Sequence, residues 1–534
     1  MAGMIVAPQP LAVEAGAQVL RGGGNAVDAA VTCALVQGVV SPQMRGIGGY
    51  ALLQMQRADG SAIALDAPAT AGAKVWPEMW EDALIRPNPE GWGFFLRDKV
   101  NDLGYSSVCT PGAVKGLATI LQRWGTISWA EAVEPAAGLA EAGFAVDAVL
   151  AAGWRARASQ PEASSLLDYI RGNAEASRIY LKADGQPYSA GEILCNPDYA
   201  RSLRHLAERG PDDFYQGELA ARMAEDLAAN GSAVTRDDLA SYAIRDVAPV
   251  EGTYRGYTIR SSPPPHGGPT LVAILNILEG YDLVSMGLNS PEYIYTVSMA
   301  MKAAFADRNP YLGDPLFVDV PLEWILSKER AHAWRQRIDA GEAIEAALVP
   351  PEPPDTTHVT VVDDAGNCVA LTHSLGSSSG VITPGLGFMY NNSMVNFHPI
   401  AGHPNSIAPG KSRTTGMAPT VVSRDERPVL VLGAPGATRI ITSNVQVILN
   451  VLDWGMSITD AVLAPRFDCQ VGAIRCQARI PEYVLAEVRK RHPVRRLPHS
   501  HGGLALVHAI AIDPVSGALS GAADAGAGGM ALAV

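Results

Sequence analysis

Positive charge is scarce in this 534-residue chain: 41 Lys and Arg stand against 54 Asp and Glu, a formal net charge of −13. A nucleic-acid binder needs a basic face, so that class is excluded. The clearest basic cluster, Arg489-Lys490-Arg491 with Arg495-Arg496, reads as a solvated helix end or loop. Cysteine is scarce too. Six, without paired spacing, read as reduced buried thiols rather than a disulfide framework, although Cys469 and Cys476 are close enough in sequence to pair. His398 and His403, like His499 and His501, form no ligand pattern with cysteine or carboxylate, so neither a metal nor another cofactor is expected. The apolar stretch 29–40 is too short, and too close to Asp28, to span a bilayer. No charged and apolar leader precedes Met4-Ile5-Val6-Ala7-Pro8, so a cytoplasmic location without a membrane partner is expected. No internal repeat is found.

What is present is a core. Apolar residues make up 48% and charged residues 18%, which supports a large buried interior rather than disorder. Residues 11–20 and 26–39 read as helices split by Gly22-Gly23-Gly24; the second is apolar around most of its circumference and should be buried. Residues 111–124, 129–143 and 219–229 carry a helical period. Thr235 reads as an N-cap before an acidic turn. Residues 253–261 read as one strand, and 290–308 as a helix ended by Pro310 and Gly313. The second half is richer in strands. Segments 358–363 and 368–374 flank Asp364-Ala365-Gly366-Asn367, a hairpin signal. Residues 429–433 read as a strand, 438–452 as a helix, and 504–512 as a strand closed by a turn at 513–517.

One junction stands out. Pro350-Pro351-Glu352-Pro353-Pro354 can continue neither a helix nor a central strand, and the β-rich run Thr356-Thr357-His358-Val359-Thr360 begins just after it. Cutting the chain between Asp355 and Thr356 would give Thr356 both a hydroxyl nucleophile and a free α-amine as its own base. On these residues alone, a strand-entry threonine after a linker is the simpler reading.

The surroundings reverse that preference. Thr356-Thr357-His358 with Val361-Val362-Asp363, Gly22-Gly23-Gly24-Asn25-Ala26-Val27-Asp28-Ala29-Ala30, Arg45-Gly46-Ile47-Gly48-Gly49, Pro263-Pro264-Pro265, Tyr390-Asn391-Asn392, Pro409-Gly410-Lys411 and Gly433-Ala434-Pro435-Gly436 occur in the order found in γ-glutamyltranspeptidases. The chain resembles that family of N-terminal nucleophile (Ntn) hydrolases. The resemblance implies an α+β fold: a four-layer αββα sandwich built from a large subunit, residues 1–355, and a small subunit, residues 356–534. Both come from one self-cutting precursor. They form a heterodimer, which can pair further into a dimer of heterodimers.

The resemblance also implies roles. Thr356 is the nucleophile. Hairpin pairing about Ala365-Gly366 would place Leu375 opposite Thr356 and Ser374 one step away; the family has a threonine at the Ser374 position, bonded to the nucleophile. Gly436 and Ala437, where the family has two glycines, would offer oxyanion-stabilising N–H groups. A phosphate loop is the rival reading of that turn, but no lysine follows. The arginine clamp for a γ-glutamyl carboxylate is missing, since its motif is shortened to Leu65-Asp66-Ala67-Pro68. The α-amine contacts become Gly376, Ser393 and Asn396, and the paired serines become Thr415 and Gly416. Arg45 and Arg413 could supply a new anion site. The expected activity is an autoprocessing amidohydrolase or acylase acting on a small-molecule amide with an acidic, non-γ-glutamyl acyl group, oxamate-like or glutaryl-like. The alternatives are a glutathione hydrolase with a rebuilt pocket and an unprocessed, non-catalytic paralogue.

Overall fold

A computed structural model describes residues 3–87, 94–158, 160–347 and 356–534, except the side chain at 527. The proline-rich stretch and Asp355 lie outside the described residues. The strands used below run, in the first part of the chain, β1 (Met4–Ala7), β2 (Tyr50–Gln56), β3 (Ala62–Ala67), β4 (Arg245–Val247), β5 (Val250–Tyr254) and β6 (Tyr257–Ser261). The second part supplies β7 (Thr357–Val362), β8 (Cys368–Ser374), β9 (Thr420–Arg424), β10 (Arg427–Gly433), β11 (His508–Ile512), β12 (Leu519–Ala523) and β13 (Met530–Ala533). One sheet has the order β13-β1-β7-β8-β2-β3-β4, and the other β12-β11-β10-β9-β6-β5.

The sheets stack face to face, and helices cover both outer faces. Helices α1 (Pro10–Arg21), α2 (Ala26–Val40) and α3 (Ala113–Trp124) pack on the first sheet. Helices α4 (Gly268–Leu278), behind which lies α5 (Pro291–Tyr311), and α6 (Arg439–Leu452) cover the second. This is the expected αββα sandwich. Strand alternation shows its layers: Val359, Val361, Val369 and Leu371 join the helix-side core. Val362, Cys368 and Ala370 meet Val421, Val431 and Ile510 between the sheets.

Every residue of α2 is buried, as its composition requires. Its Asn25–Asp28 capping box holds the first turn, and Asp363 Oδ2 accepts the Ala26 N–H at 3.0 Å, tying the β7–β8 turn to the helix. Gly16 lets α1 lie close, since a Cβ there would come within 2.4 Å of Ile5 and 2.9 Å of the Ala29 carbonyl.

Three expectations change. The stretch 253–261 is not one strand but the end of β5, a turn and β6; Arg255 (φ 52°) and Gly256 (φ 80°) form a tight reversal. Helix α5 runs through Pro310 to Tyr311, because a proline in the last turn sacrifices little of the ladder. The six cysteines are free, Cys469 and Cys476 included, and Cys195 is exposed rather than buried.

Candidate active site

The site grows from the β7–β8 hairpin. Its register pairs Thr357 with His373 and His358 with Thr372, so Ser374, not Leu375, stands opposite Thr356. The expected pairing is off by one because the turn is a three-residue loop. Gly366 (φ 90°) takes the left-handed position, and the Asp363 N–H reaches the Asn367 carbonyl at 3.1 Å. Residues opposite one another share a face. Thr356 Oγ1 accordingly donates to Ser374 Oγ at 3.3 Å. The Gly376 N–H donates to the same oxygen at 2.9 Å. Thr356 is buried, at 4% exposure, in the uncut chain.

Gly376 is held from behind. Its φ of 74° suits glycine, and a Cβ would lie 2.4 Å from Asn392 Oδ1. That oxygen accepts the Ser377 N–H at 2.9 Å, and Asn392 Nδ2 donates to Asp102 Oδ1 at 3.0 Å. Burial pushes the Asp102 carboxyl up, opposed by hydrogen bonds from Tyr169 and Ser164.

His358 lies between the sheets with Nδ1 2.9 Å from Thr372 Oγ1 and Nε2 2.9 Å from Thr360 Oγ1. Burial first, then His508 and His373, holds it well below the usual histidine range, so it is neutral. Gly433 packs on that ring; a Cβ would come within 2.2 Å of it. β10 therefore ends above His358, and the 434–438 turn leaves it at the Thr356 end of β7. Gly436 has φ 139° and Ala437 φ 61°. Among the described residues neither N–H donates within the protein, and both precede the first turn of α6. Two unspent donors at a helix N-terminus are suited to an oxyanion. Arg439, at the start of α6, reaches the Gly436 carbonyl at 3.4 Å and so braces the turn.

The substrate-contact candidates divide. Gly416 abuts the 434–438 turn, since a Cβ there would lie 2.3 Å from the Ala437 carbonyl. Arg413 stacks on Tyr50 at 4.8 Å, and its Nη2 meets the Tyr50 hydroxyl. Tyr50 pairs with Ser374, so Arg413 is anchored on the face that carries Thr356. Arg45 is buried in a loop fastened to the end of β8 by the Leu375 N–H and the Met44 carbonyl, 3.0 Å apart. Ser393 and Asn396 are buried in the 3₁₀ turn that follows Asn392, and no described contact joins them to Thr356.

Thr415 leads to residues the sequence reading missed. Its Oγ1 lies 2.8 Å from His266 Nδ1 and accepts the Met417 N–H at 3.1 Å. His266 Nε2 stands 3.1 Å from Asp66 Oδ1, both side chains 3% exposed. His266 follows the Pro263-Pro264-Pro265 motif directly, and that was the only signal. Tyr50, Asn392 and Asp102 were likewise unassigned.

The comparisons agree with this geometry. The γ-glutamyltranspeptidase family model matches residues 12–534. The chain is 40% identical over 538 residues to the acylase ACY 1 proenzyme of a Pseudomonas species (strain SE83), covering 100% of this chain and 93% of that protein. It is 34% identical over 487 residues to the glutathione hydrolase proenzyme of Escherichia coli, covering 88% and 81%. The crystal structure of cephalosporin acylase from Bacillus halodurans superposes with a TM-score of 0.86 at 26% identity, covering 99% of this chain and 95% of that one. Fold, hairpin and sequence converge: the chain belongs to the γ-glutamyltranspeptidase family and is a hydrolase acting on amide bonds.

Proposed function

We propose that the chain is a precursor cut between Asp355 and Thr356, and that mature Thr356 cleaves an amide whose acyl group carries a carboxylate but is not γ-glutamyl. The observation that carries this reading is the Thr356–Ser374–Gly376 contact set beside a clamp motif whose acid, Asp66, faces His266. The proenzyme names of the relatives at 40% and 34% identity support the cut, and the acylase name supports acylase chemistry.

In maturation the Thr356 hydroxyl attacks the preceding carbonyl and the peptide N–C bond breaks. That break frees the Thr356 amine; water then hydrolyses the resulting ester, restoring the Thr356 hydroxyl, releasing the Asp355 carboxylate and leaving residues 1–355 and 356–534 as partners. In turnover that amine takes the hydroxyl proton as Oγ1 attacks the amide carbon. Gly436 and Ala437 N–H groups receive the oxyanion. Collapse expels the leaving amine, which takes the proton back from the Thr356 ammonium. Water then attacks the acyl-threonine ester, releases the acid and restores the hydroxyl. Ser374, itself held by Gly376, keeps Oγ1 in line. Arg413 and Arg45 supply positive charge for the acyl carboxylate.

A denaturing gel with N-terminal sequencing tests the cut: a small fragment starting at Thr356 is expected in wild type and one uncut, inactive chain in Thr356→Ala. Glutaryl, oxamate and γ-glutamyl anilides test the substrate. Efficient, saturable γ-glutamyl turnover overturns the acyl assignment in favour of a glutathione hydrolase with a rebuilt pocket.

A further inference from the structure

Helix α2 is wholly buried and mostly apolar, yet it carries the amide of Gln37, at 0% exposure, against the first residue of β7. A buried amide is costly unless its polar atoms are paired. Gln37 Nε2 donates to Gln9 Oε1 at 2.7 Å and to Thr357 Oγ1 at 2.8 Å. Gln37 Oε1 lies 2.9 Å from His373 Nε2, and Thr357 Oγ1 donates to Gln9 Oε1 at 3.2 Å. We infer that Gln37 is a positioning residue: by clamping Thr357 to His373 it fixes the chain end that Thr356 becomes, and so serves turnover after the cut more than the cut itself.

The protons of this cluster have one arrangement. Both amide protons of Gln37 are spent on Gln9 and Thr357, which leaves Oε1 to accept from His373. The ring therefore carries its proton on Nε2. Burial first, then Arg45, holds His373 down to about 3, so the imidazole stays neutral between about pH 5 and 9 and the arrangement does not change. Gln9 stands at the N-cap of α1, but its side chain caps nothing there, being committed to Gln37 and Thr357 instead.

The clamp stands where the strand ladder is thin. The register of β7 with β1 ends at Val6–Thr360, so Thr357 to Val359 are registered against β8 alone. Thr356 lies one residue beyond the last registered pair, Thr357–His373. Gln9 and Gln37 add at this end the hold that β1 does not. Before the cut Thr356 is tethered by peptide bonds on both sides. After it Thr356 is a terminus, and termini fray unless tied down. Successive strand residues point to opposite faces. Thr357 is therefore gripped from the α2 side, while Thr356 turns to Ser374 on the other. A tie on the far face steadies the backbone and leaves the hydroxyl open.

This inference rests on the reading of Thr356 as the nucleophile freed by the cut, and the test separates the two. Wild type, Gln37→Met, Thr357→Val and Thr357→Ser precursors are followed on denaturing gels for the rate of self-cleavage. The processed proteins are then assayed with whichever of the glutaryl, oxamate and γ-glutamyl anilides the wild type cleaves fastest. Gln37→Met and Thr357→Val should each lower kcat about ten- to a hundredfold, with KM within about threefold of wild type. Their self-cleavage should slow only a few-fold. The double variant should lose no more than either single one, since both substitutions remove the same tie. Thr357→Ser, which keeps the oxygen, should stay within a few-fold of wild type in kcat. A residue that only filled space would not separate Ser from Val at position 357, and that pair decides the matter if Gln37→Met does not fold. A kcat near the wild-type value in Thr357→Val, or self-cleavage slowed as much as turnover, overturns the clamp and leaves Thr356 standing as the nucleophile. A wild-type small fragment that starts anywhere but Thr356 overturns the cut, and the clamp with it.

Discussion

Ala437 sits at φ 61°, where a Cβ crowds the backbone at a cost of about 1–2 kcal/mol, in a turn where glycine would be free of that strain. The surrounding contacts, Gly416 on one side and Gly436 against Ala505 on the other, hold it there. Ala437→Gly should therefore raise stability by about 0.5–1 kcal/mol in urea melts, the relief of strain being partly offset by unfolded-state entropy. An unchanged or lower midpoint would show that the turn is relaxed. Ser374 is constrained differently. Removing its hydroxyl takes a partner from both Thr356 Oγ1 and the Gly376 N–H. Ser374→Ala should slow self-cleavage and lower kcat by about tenfold or more, while Ser374→Thr, which keeps the oxygen, should stay within a few-fold of wild type. Gel time courses and steady-state rates measured side by side decide this. At Arg413, loss of a charge-assisted contact of about 1.5–3 kcal/mol should raise KM for a glutaryl amide roughly ten- to a hundredfold in Arg413→Ala. Self-cleavage should be disturbed far less, since the protein's own chain needs no carboxylate site. If Arg45→Ala and Arg413→Ala both turn over the best acidic substrate like wild type, a neutral acyl group becomes the better assignment.

Elements are placed by ties that sequence patterning carries unevenly. The Asp314 side chain, fully buried, receives Arg245 at 2.9 and 3.0 Å and the Ser412 N–H and hydroxyl at 2.8 Å each, thereby joining β4 to the segment that carries Arg413. Burial alone would raise its pKa; Arg245 and the Ser412 N–H more than reverse that. Asp314→Asn leaves Arg245 without its charge partner and should destabilise by about 3 kcal/mol in urea melts; a loss within the error of the melts would show that the pair contributes nothing. Such a tie was invisible beforehand, because its partners lie 69 and 98 residues apart. What was legible had short range. The burial of α2 follows from its continuous apolar circumference. The β7–β8 hairpin follows from two alternating runs around a Gly-containing turn. Its register missed by one because a two-residue and a three-residue loop read alike until Gly366 is seen at φ 90°. The contact between Thr356 and Ser374 was legible because one hairpin brings them together. Tyr50 under Arg413, 363 residues away, and His266 under Thr415, 149 residues away, were not, since nothing local marks either pair.

The molecule as a whole stacks two sheets, and β7 and β8 of the first with β11 of the second carry three histidines into its interior. Burial, then the charge of Arg45, holds His373 down to about 3. Burial also lowers His508 to about 4, helped by Arg45 and Arg466 against the opposing pull of Asp524, and it holds His358 well below its ordinary value. All three are therefore neutral in the folded state at pH 7, whereas in the unfolded chain they titrate near about 6.5. The sign follows. The unfolded state binds more protons below that value, so the stability associated with these groups is complete above about pH 6.5 and is lost as pH falls toward the folded values. Each differential proton changes the unfolding free energy by about 1.4 kcal/mol per pH unit, so three give a slope of about 4 kcal/mol per unit between roughly pH 6 and 5. Urea titrations at a series of pH values measure it, and a flat profile from pH 7 to 5 would remove the buried neutral histidines from the account. His508 allows a sharper test. Its two ring nitrogens have no hydrogen-bond partner among the described residues, so the imidazole gains little from its site. His508→Leu should lower the acid slope by about one third while leaving stability at pH 8 unchanged or higher, since an apolar side chain of similar volume suits that interior better. A large loss of stability at pH 8 with the slope intact would mean that the ring is held by a partner and that the acid sensitivity arises elsewhere.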